Sequence, residues 1–218
     1  MVKTRTLYVM ASRTDTGIGR MIRFVSGFPY NHISVTLDGS FRSWYSFARY
    51  VQDAPFYSGF VRESAARFCA GTGDAQVRIY AVQIPEHQAA DLEKLLPLAN
   101  QTDSGLIYNY FEALASCVGF QVKVPQCYTC LSFASELLNT DCRSIQELCE
   151  TMSPWLIYEG SMGALLQDSG DREELYFTQL GLVRGTAKSF RQLGTLTMRT
   201  VYHGFNRYML DAFRRTVR

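Results

Sequence analysis

Tyr30-Asn31-His32-Ile33-Ser34-Val35-Thr36-Leu37 decides how this chain is read, together with Tyr128-Thr129-Cys130-Leu131-Ser132-Phe133-Ala134 much further along. The first stretch has the period of a strand. His32, Ser34 and Thr36 fall on one face, Ile33, Val35 and Leu37 on the other. The second stretch predicts a helix that opens at Cys130 and buries Phe133, Leu137 and Leu138. A cysteine at a helix N-terminus lies in the partial positive charge of unpaired backbone N–H groups, which favours thiolate. An imidazole held on a rigid strand can take the thiol proton and keep it as a cation. Where a fold joins two such residues, the pair is an activated nucleophile. Sequence separation keeps His32 and Cys130 far apart, so their meeting is a tertiary expectation.

Outward from these two stretches the pattern predicts an α+β chain with an antiparallel sheet and helices packed on it. Leu7–Ser12 is a predicted strand. Asp15 or Thr16 caps a short helix through Val25, which Gly27 ends. After the His32 strand, Asp38-Gly39-Ser40 is a turn and Trp44–Arg49 the returning strand. Residues 50–75 read as loop, Val77–Ile84 as a strand, and Pro85-Glu86 as the start of a helix reaching Leu98. Tyr108–Val118, Cys130–Leu138 and Ile145–Met152 are predicted helices, the last stopped by Pro154.

The hairpin suggests a partner for the imidazole, because directly opposed residues in an antiparallel pair share a face. A three-residue loop centred on Gly39 sets Ser46 opposite His32. A two-residue loop at Gly39-Ser40 sets Phe47 there instead. Ser46 is the polar candidate, and its hydroxyl could hold one imidazole tautomer. The expected catalytic set is therefore Cys130, His32 and Ser46.

Composition bounds the remaining choices. With 218 residues, 47% hydrophobic and 19% charged, the chain can bury a proper core. No apolar run approaches the ~18 residues that span a bilayer. Met1–Thr6 runs into an apolar stretch too short for a signal peptide, so a cytoplasmic setting is expected. In that setting the six cysteines read as reduced thiols. Cys127-x-x-Cys130 could be half a zinc site or a redox pair, but no second half accompanies it and no predicted strand directly precedes it, so neither metal nor cofactor is expected.

Charge divides the chain. Residues 184–218 carry eight basic groups against one acid, Asp211, a net +7, leaving −5 for the remainder of a chain that totals +2. The polar run Gln167–Glu174 marks the boundary, giving a first domain over 1–166 that holds His32 and Cys130, and a linker with a basic helical extension over 167–218. In the extension Phe190, Leu193, Thr197, Val201, Phe205, Tyr208 and Ala212 recur at helical spacing. Docking of 184–218 on the acidic body is the default expectation, and peripheral contact with an anionic membrane is the alternative. No nucleic-acid module is present, and the aromatics follow the apolar stripe instead of alternating with arginine.

The two opening stretches, with five further pieces in the same order, resemble the circularly permuted branch of the NlpC-like papain superfamily. That branch holds YiiX-like bacterial proteins and, more distantly, the lecithin:retinol acyltransferase family. The further pieces are Ser12–Thr16, Tyr45-Ser46-Phe47, Gly59-Phe60-Val61, Tyr108-Asn109-Tyr110 and Ile157–Gly160, so the resemblance covers roughly residues 7–162. In that branch the histidine strand precedes the cysteine helix, as here. The resemblance implies a permuted papain-like fold with Cys130 as nucleophile and His32 as general base. It also implies Tyr30, Tyr45, Arg13, Asp15 and Tyr128 as substrate-pocket residues. The implied activity is cleavage of an amide in a peptide, a peptidoglycan fragment or an N-acyl compound. A lipid acyl ester hydrolase or acyltransferase, or a non-catalytic binding module on the same fold, stands as the alternative. Two departures weigh toward the binding module. Leu131 replaces the small polar residue that often follows the nucleophile, and Trp44–Arg49 offers no acid or histidine as a third catalytic group.

Overall fold

The computed structural model describes residues 3–15, 17–70, 73–116, 120–165 and 175–216, with side chains at all of these except 17–18, 21–22 and 208–216. Its strands are β1 (Thr4–Ser12), β2 (His32–Thr36), β3 (Trp44–Arg49), β4 (Ser58–Glu63), β5 (Gln76–Pro85), β6 (Ile107–Tyr108), β7 (Cys127–Tyr128) and β8 (Leu156–Ser161). Its helices are α1 (Gly17–Ser26), α2 (Ala65–Phe68), α3 (Glu86–Leu95), α4 (Tyr110–Ser116), α5 (Cys130–Leu137), α6 (Ile145–Thr151), α7 (Met162–Leu165) and α8 (Leu182–Thr216). The architecture is α+β. One sheet of eight strands runs β7-β6-β4-β3-β2-β1-β5-β8, antiparallel throughout except for the short β6–β7 pair.

β2 lies inside this sheet, and all five of its residues are buried. Both faces of the strand are therefore covered. Ile33 and Val35 join Leu7, Val9, Phe47 and Phe60 on the face against which α3, α5 and α6 place Leu92, Phe133, Ala134 and Leu148. Met10, Trp44, Val77 and Ile79 form a second core with Ala65 and Phe68 of α2 and Met162 of α7. The alternation seen in the sequence separates two buried layers, one apolar and one that carries the polar residues His32, Ser34 and Thr36.

The hairpin between β2 and β3 departs from both expected loops. Its connection is residues 37–43, with Phe41 in the left-handed region (φ 59°) and its carbonyl accepting from Trp44 Nε1. The register is fixed by Val35 opposite Tyr45. Continued along β2, it sets position 48 across from His32, so neither Ser46 nor Phe47 opposes the imidazole. Residues 50–75, read from the sequence as loop, contain β4 and α2. Gly59 interrupts the apolar run of β4 and Arg62 is exposed, which leaves only Phe60-Val61 as a strand signal. The expected helix over Tyr108–Val118 is shorter, since Ile107–Tyr108 pair with β7 before α4 begins. The capping role read for Thr16, and the helical reading of 117–118, lie outside the described residues.

α8 crosses the edge of the sheet. Leu196 is fully buried among Ile107, Val124 and Cys127. Gln192 Oε1 accepts from the Ser58 N–H at 2.6 Å, and Arg199 donates to the Gly105 carbonyl at 2.7 Å. Lys188 lies over the ring of Tyr57. The buried face is thus Gly185, Ser189 and Leu196, with half-buried polar neighbours. Phe190, Val201 and Phe205 of the stripe expected to pack are exposed instead. The sheet edge presents backbone donors and acceptors, and these select the polar face of the helix. No described helix is long and apolar enough to cross a membrane.

Gly59 holds the edge strands together. It pairs with Ala48 on one side and Ile107 on the other, and a Cβ there would collide with the Tyr50 hydroxyl and the Leu106 carbonyl. Gly59→Ala should therefore push β6 from β4 and destabilise the protein by about 1–3 kcal/mol, the usual range for overpacking. Denaturant unfolding of the variant measures this, and an unchanged midpoint would contradict the close approach.

Candidate active site

α5 begins at Cys130 because its first turn is capped on both sides. The Thr129 hydroxyl accepts from the Ser132 N–H at 3.0 Å, and the Ser132 hydroxyl accepts from the Thr129 N–H at 2.9 Å. This reciprocal box fixes the turn that carries the cysteine. The Ser132 hydroxyl also donates to Glu112 Oε2 at 2.9 Å. Glu112 is buried, which pushes its carboxyl above the ordinary range even though Ser132 donates to it. Asn109, fully buried, ties α4 to this region: its N–H donates to the Tyr128 carbonyl and its Oδ1 accepts from the Glu112 N–H. Cys130 is therefore seated by three segments.

His32 opens β2. The preceding Asn31 is clamped, its Oδ1 accepting from the Thr14 N–H at 2.9 Å and from Arg23 at 3.0 Å. His32 Nε2 meets the Glu63 carboxylate at 2.9 Å and 3.1 Å, which leaves Nδ1 as the ring nitrogen for the Cys130 thiol with which the imidazole also interacts. Glu63 is 2% exposed. The Ser34 hydroxyl donates to it at 2.6 Å, and Arg67 Nε lies 3.2 Å from its other oxygen. One buried carboxylate thus takes hydrogen bonds from β2 at two positions and an ion pair from α2.

Electrostatics follow from this packing. Burial opposes the imidazolium of His32, but the charge of Glu63 and the hydrogen bonds of Cys130 and Glu63 outweigh it and push His32 up to about 10. Burial also opposes the ionised Glu63. The charges of His32 and Arg67, with hydrogen bonds from His32 and Ser34, overcome it and hold the carboxyl below its ordinary value. A cation on His32 and an anion on Glu63 is the resting state at neutral pH.

Cys130 borders two cavities. One, of about 110 Å³, is lined by His32, Glu63, Arg67, Arg49, Tyr110 and Tyr176 among others. The second, of about 270 Å³, is more apolar, with Val25, Phe28, Tyr30, Leu131 and Ile145 in its wall. Asn31, Tyr108 and Cys130 belong to both. A larger cavity of about 630 Å³ lies behind α5 and reaches neither His32 nor Cys130. Tyr176, from the segment read as a linker, forms part of the first cavity and places its ring 4.4 Å from the Arg67 guanidinium. Arg49 also lines it, donating to the Tyr176 hydroxyl and to the Gln52 carbonyl.

Of the residues singled out in the sequence, His32 and Cys130 come together. Ser46 does not join them: its hydroxyl donates to the Ile33 carbonyl at 2.6 Å, and the imidazole's partner is Glu63. The register of the hairpin is the cause. Asp15 lines the smaller cavity and pairs with Arg23 at 3.5 Å, and Tyr30 lines the larger of the two at Cys130. Tyr45 stacks on Phe60, Arg13 is exposed, and Tyr128 packs on Phe47 beside the cavity behind α5, so these three line neither cavity at Cys130. The two sulfurs of Cys127-x-x-Cys130 have different surroundings, Cys127 accepting from Arg199 at 3.8 Å. Among the described residues no group of three or more His, Cys, Asp and Glu side chains could hold a metal ion.

Glu63 is the functional residue that sequence reading missed. A signal existed in Glu63-x-x-x-Arg67, an acid and a base one helical turn apart after Phe60-Val61, but it lay in a span read as loop.

The charge state sets a pH window. A raised His32 contributes stability that is complete below the ordinary histidine value of ~6.5 and is lost as pH rises through about 10. A depressed Glu63 contributes stability present above ~4.3 and lost as pH falls through its lowered value. Both contributions are complete between ~4.3 and ~6.5. An NMR titration should find the His32 ring still protonated at pH 8, and Glu63→Gln should return its midpoint toward ~6.5. Glu63→Ala should cost about 3–5 kcal/mol, as removal of one member of a buried pair does. A ring that titrates near 6.5 in the unaltered protein would contradict the assignment.

Comparison of the chain with protein-family models, with curated proteins and with solved structures finds no match to any of them.

Proposed function

We propose that the protein is a cysteine-dependent amide hydrolase in which Cys130 is the nucleophile, His32 the general base and then acid, and Glu63 the group that orients and charges the imidazole. The observation that carries the reading is the buried chain Cys130–His32–Glu63 opening onto two cavities that share Cys130 in their walls. The acid that the returning strand lacks is supplied by β4. This removes one ground for the binding-module alternative. The likeness to permuted NlpC-like papain-fold proteins fits the same order of groups, with the histidine strand preceding the cysteine helix.

The reaction follows from the geometry. The Cys130 sulfur, its proton held by His32, attacks the amide carbonyl carbon. The developing oxyanion is stabilised by the N–H groups of Cys130 and Leu131, which precede the Ser132 N–H that the Thr129 cap engages. His32 then gives its proton to the amide nitrogen, the C–N bond breaks, and the amine leaves an acyl-Cys130 thioester. Water donates a proton to His32 as its oxygen attacks the thioester. The C–S bond breaks and a carboxylic acid departs. Glu63 stays ionised throughout, and stabilises each imidazolium that forms.

The cavities support an N-acyl substrate. The one lined by Val25, Phe28, Leu131 and Ile145 suits an apolar acyl group, and Leu131 then serves as a wall of that cavity. The one holding Arg49, Tyr110 and Tyr176 suits a polar amine portion.

At pH 6, iodoacetamide should modify Cys130 ahead of Cys69, Cys117, Cys127, Cys142 and Cys149, and His32→Ala should slow that reaction. Incubation with N-acyl amides should add an acyl mass to the Cys130 peptide in rapidly quenched samples. Cys130→Ala should abolish turnover, and Glu63→Gln should lower kcat/KM by about 10²–10⁴-fold. Equal labelling of the cysteines, with no acyl adduct from amide or ester probes, would point to the binding module. An adduct from esters alone would point to the lipid acyl reading.

A further inference from the structure

The docked face of α8 leaves the opposite face without a partner among the described residues. That face carries Val183, Ala187, Phe190, Gly194, Met198, Val201 and Phe205, all exposed, with the five larger side chains 59% to 82% exposed. A row of this length covers about 33 Å of helix. Glycine and alanine within it are as informative as the large residues, because they mark where another backbone can approach.

The row is symmetric about Gly194. Phe190 and Met198 lie four positions to either side, Ala187 and Val201 seven, Val183 and Phe205 eleven. An antiparallel copy of the same helix, related by a two-fold axis at Gly194, would therefore set Phe190 against the partner's Met198. It would set small Ala187 against the partner's Val201, and Val183 against the partner's Phe205. A Cβ built at Gly194 meets nothing within 4 Å in the monomer, so the crossing point is open to a neighbour.

Charge is consistent with the same arrangement. Arg184 and Arg191 border the row on one side, and Tyr202, 69% exposed, lies on that same side near the other end. The two-fold brings Arg184 to the level of the partner's Gly204, beside the partner's Tyr202. There the Arg184 guanidinium can lie over the ring of the partner's Tyr202. The six large side chains, Tyr202 included, expose an area on the order of 800 Å² per protomer, about what a stable interface buries on each side. Threonines and glycine, at 186, 197 and 204, occupy the other border where a helix adapted to anionic lipid would place further lysine or arginine.

We infer that the outer face of α8 is a homodimer interface, in which two copies of this helix pack antiparallel across a two-fold axis at Gly194. The interface is isologous and closes on itself, as a two-fold pair must. It is independent of the chemistry proposed for Cys130.

Sedimentation equilibrium of the full chain at about 10 μM should give a dimer, since interfaces of this standard size hold stable pairs. Val201→Asp and Phe190→Asp should each weaken the dimer at least ~10-fold, since they bury a charge at the seam. Both side chains are exposed in the protomer, so the circular dichroism of the variants should be unchanged. Under mild oxidation Gly194→Cys should give a covalent dimer whose linkage maps to position 194, since the axis brings the two backbones within disulfide reach. The unaltered chain should give no such linkage. A monomer at 100 μM, or a dimer that both aspartate variants retain, would overturn the inference. Flotation of a monomeric chain with phosphatidylcholine–phosphatidylglycerol vesicles, lost in the same variants, would overturn it in favour of a membrane-facing stripe.

Discussion

The Glu63 carboxylate is the constraint on which the rest of the site depends. It is buried, ionised, and reached by groups from two elements: His32 and Ser34 on β2 and Arg67 on α2. A bare carboxylate in such a place would be strongly destabilising, and each of these partners offsets part of its desolvation. The arrangement explains why β2 can carry polar residues on a fully buried face. It also explains why α2, only four residues long, matters: it supplies the cation that lets a carboxylate stay ionised beside an imidazole.

Around that carboxylate the polar groups form a graded series. Arg67 bonds Glu63, the Arg49 carbonyl and the face of Tyr176, so the ion pair is extended into the wall of the cavity by a residue from the C-terminal region. On the other side of His32, Cys130 is set by a separate network of Thr129, Ser132 and Glu112. The two networks meet at the imidazole and the sulfur. Each can hold its member rigidly without the other, and such pre-organisation would favour the proposed reaction, in which a proton passes between Cys130 and His32 while Glu63 stays ionised.

The C-terminal helix shows the same economy of contacts. It is attached by one fully buried leucine, Leu196, and by polar side chains that satisfy backbone groups at the sheet edge. Its larger apolar residues are left outside. An apolar periodicity shows that one face of a helix is suited to burial, but not which body will cover it.

The sequence by itself determined most of the local elements and the two side chains, His32 and Cys130, on which the site is built. Period-two alternation marked β2, β3 as Trp44–Arg49 was read with its observed limits, and the apolar spacing of Phe133, Leu137 and Leu138 placed Cys130 at the first turn of α5. These features depend on neighbours within a few positions, so local propensity suffices to reveal them. Tertiary structure alone decided which group faces His32. The hairpin register depends on a seven-residue connection with a left-handed Phe41, and a shift of one or two positions moves Ser46 in or out of reach. Glu63 lies 31 positions from His32 on a strand that does not adjoin β2, brought there by the β4–β3 pairing and by α2 packing behind it. A pairing across two strands leaves no periodic trace in the sequence, and for that reason the third group of the site became visible only in the folded chain.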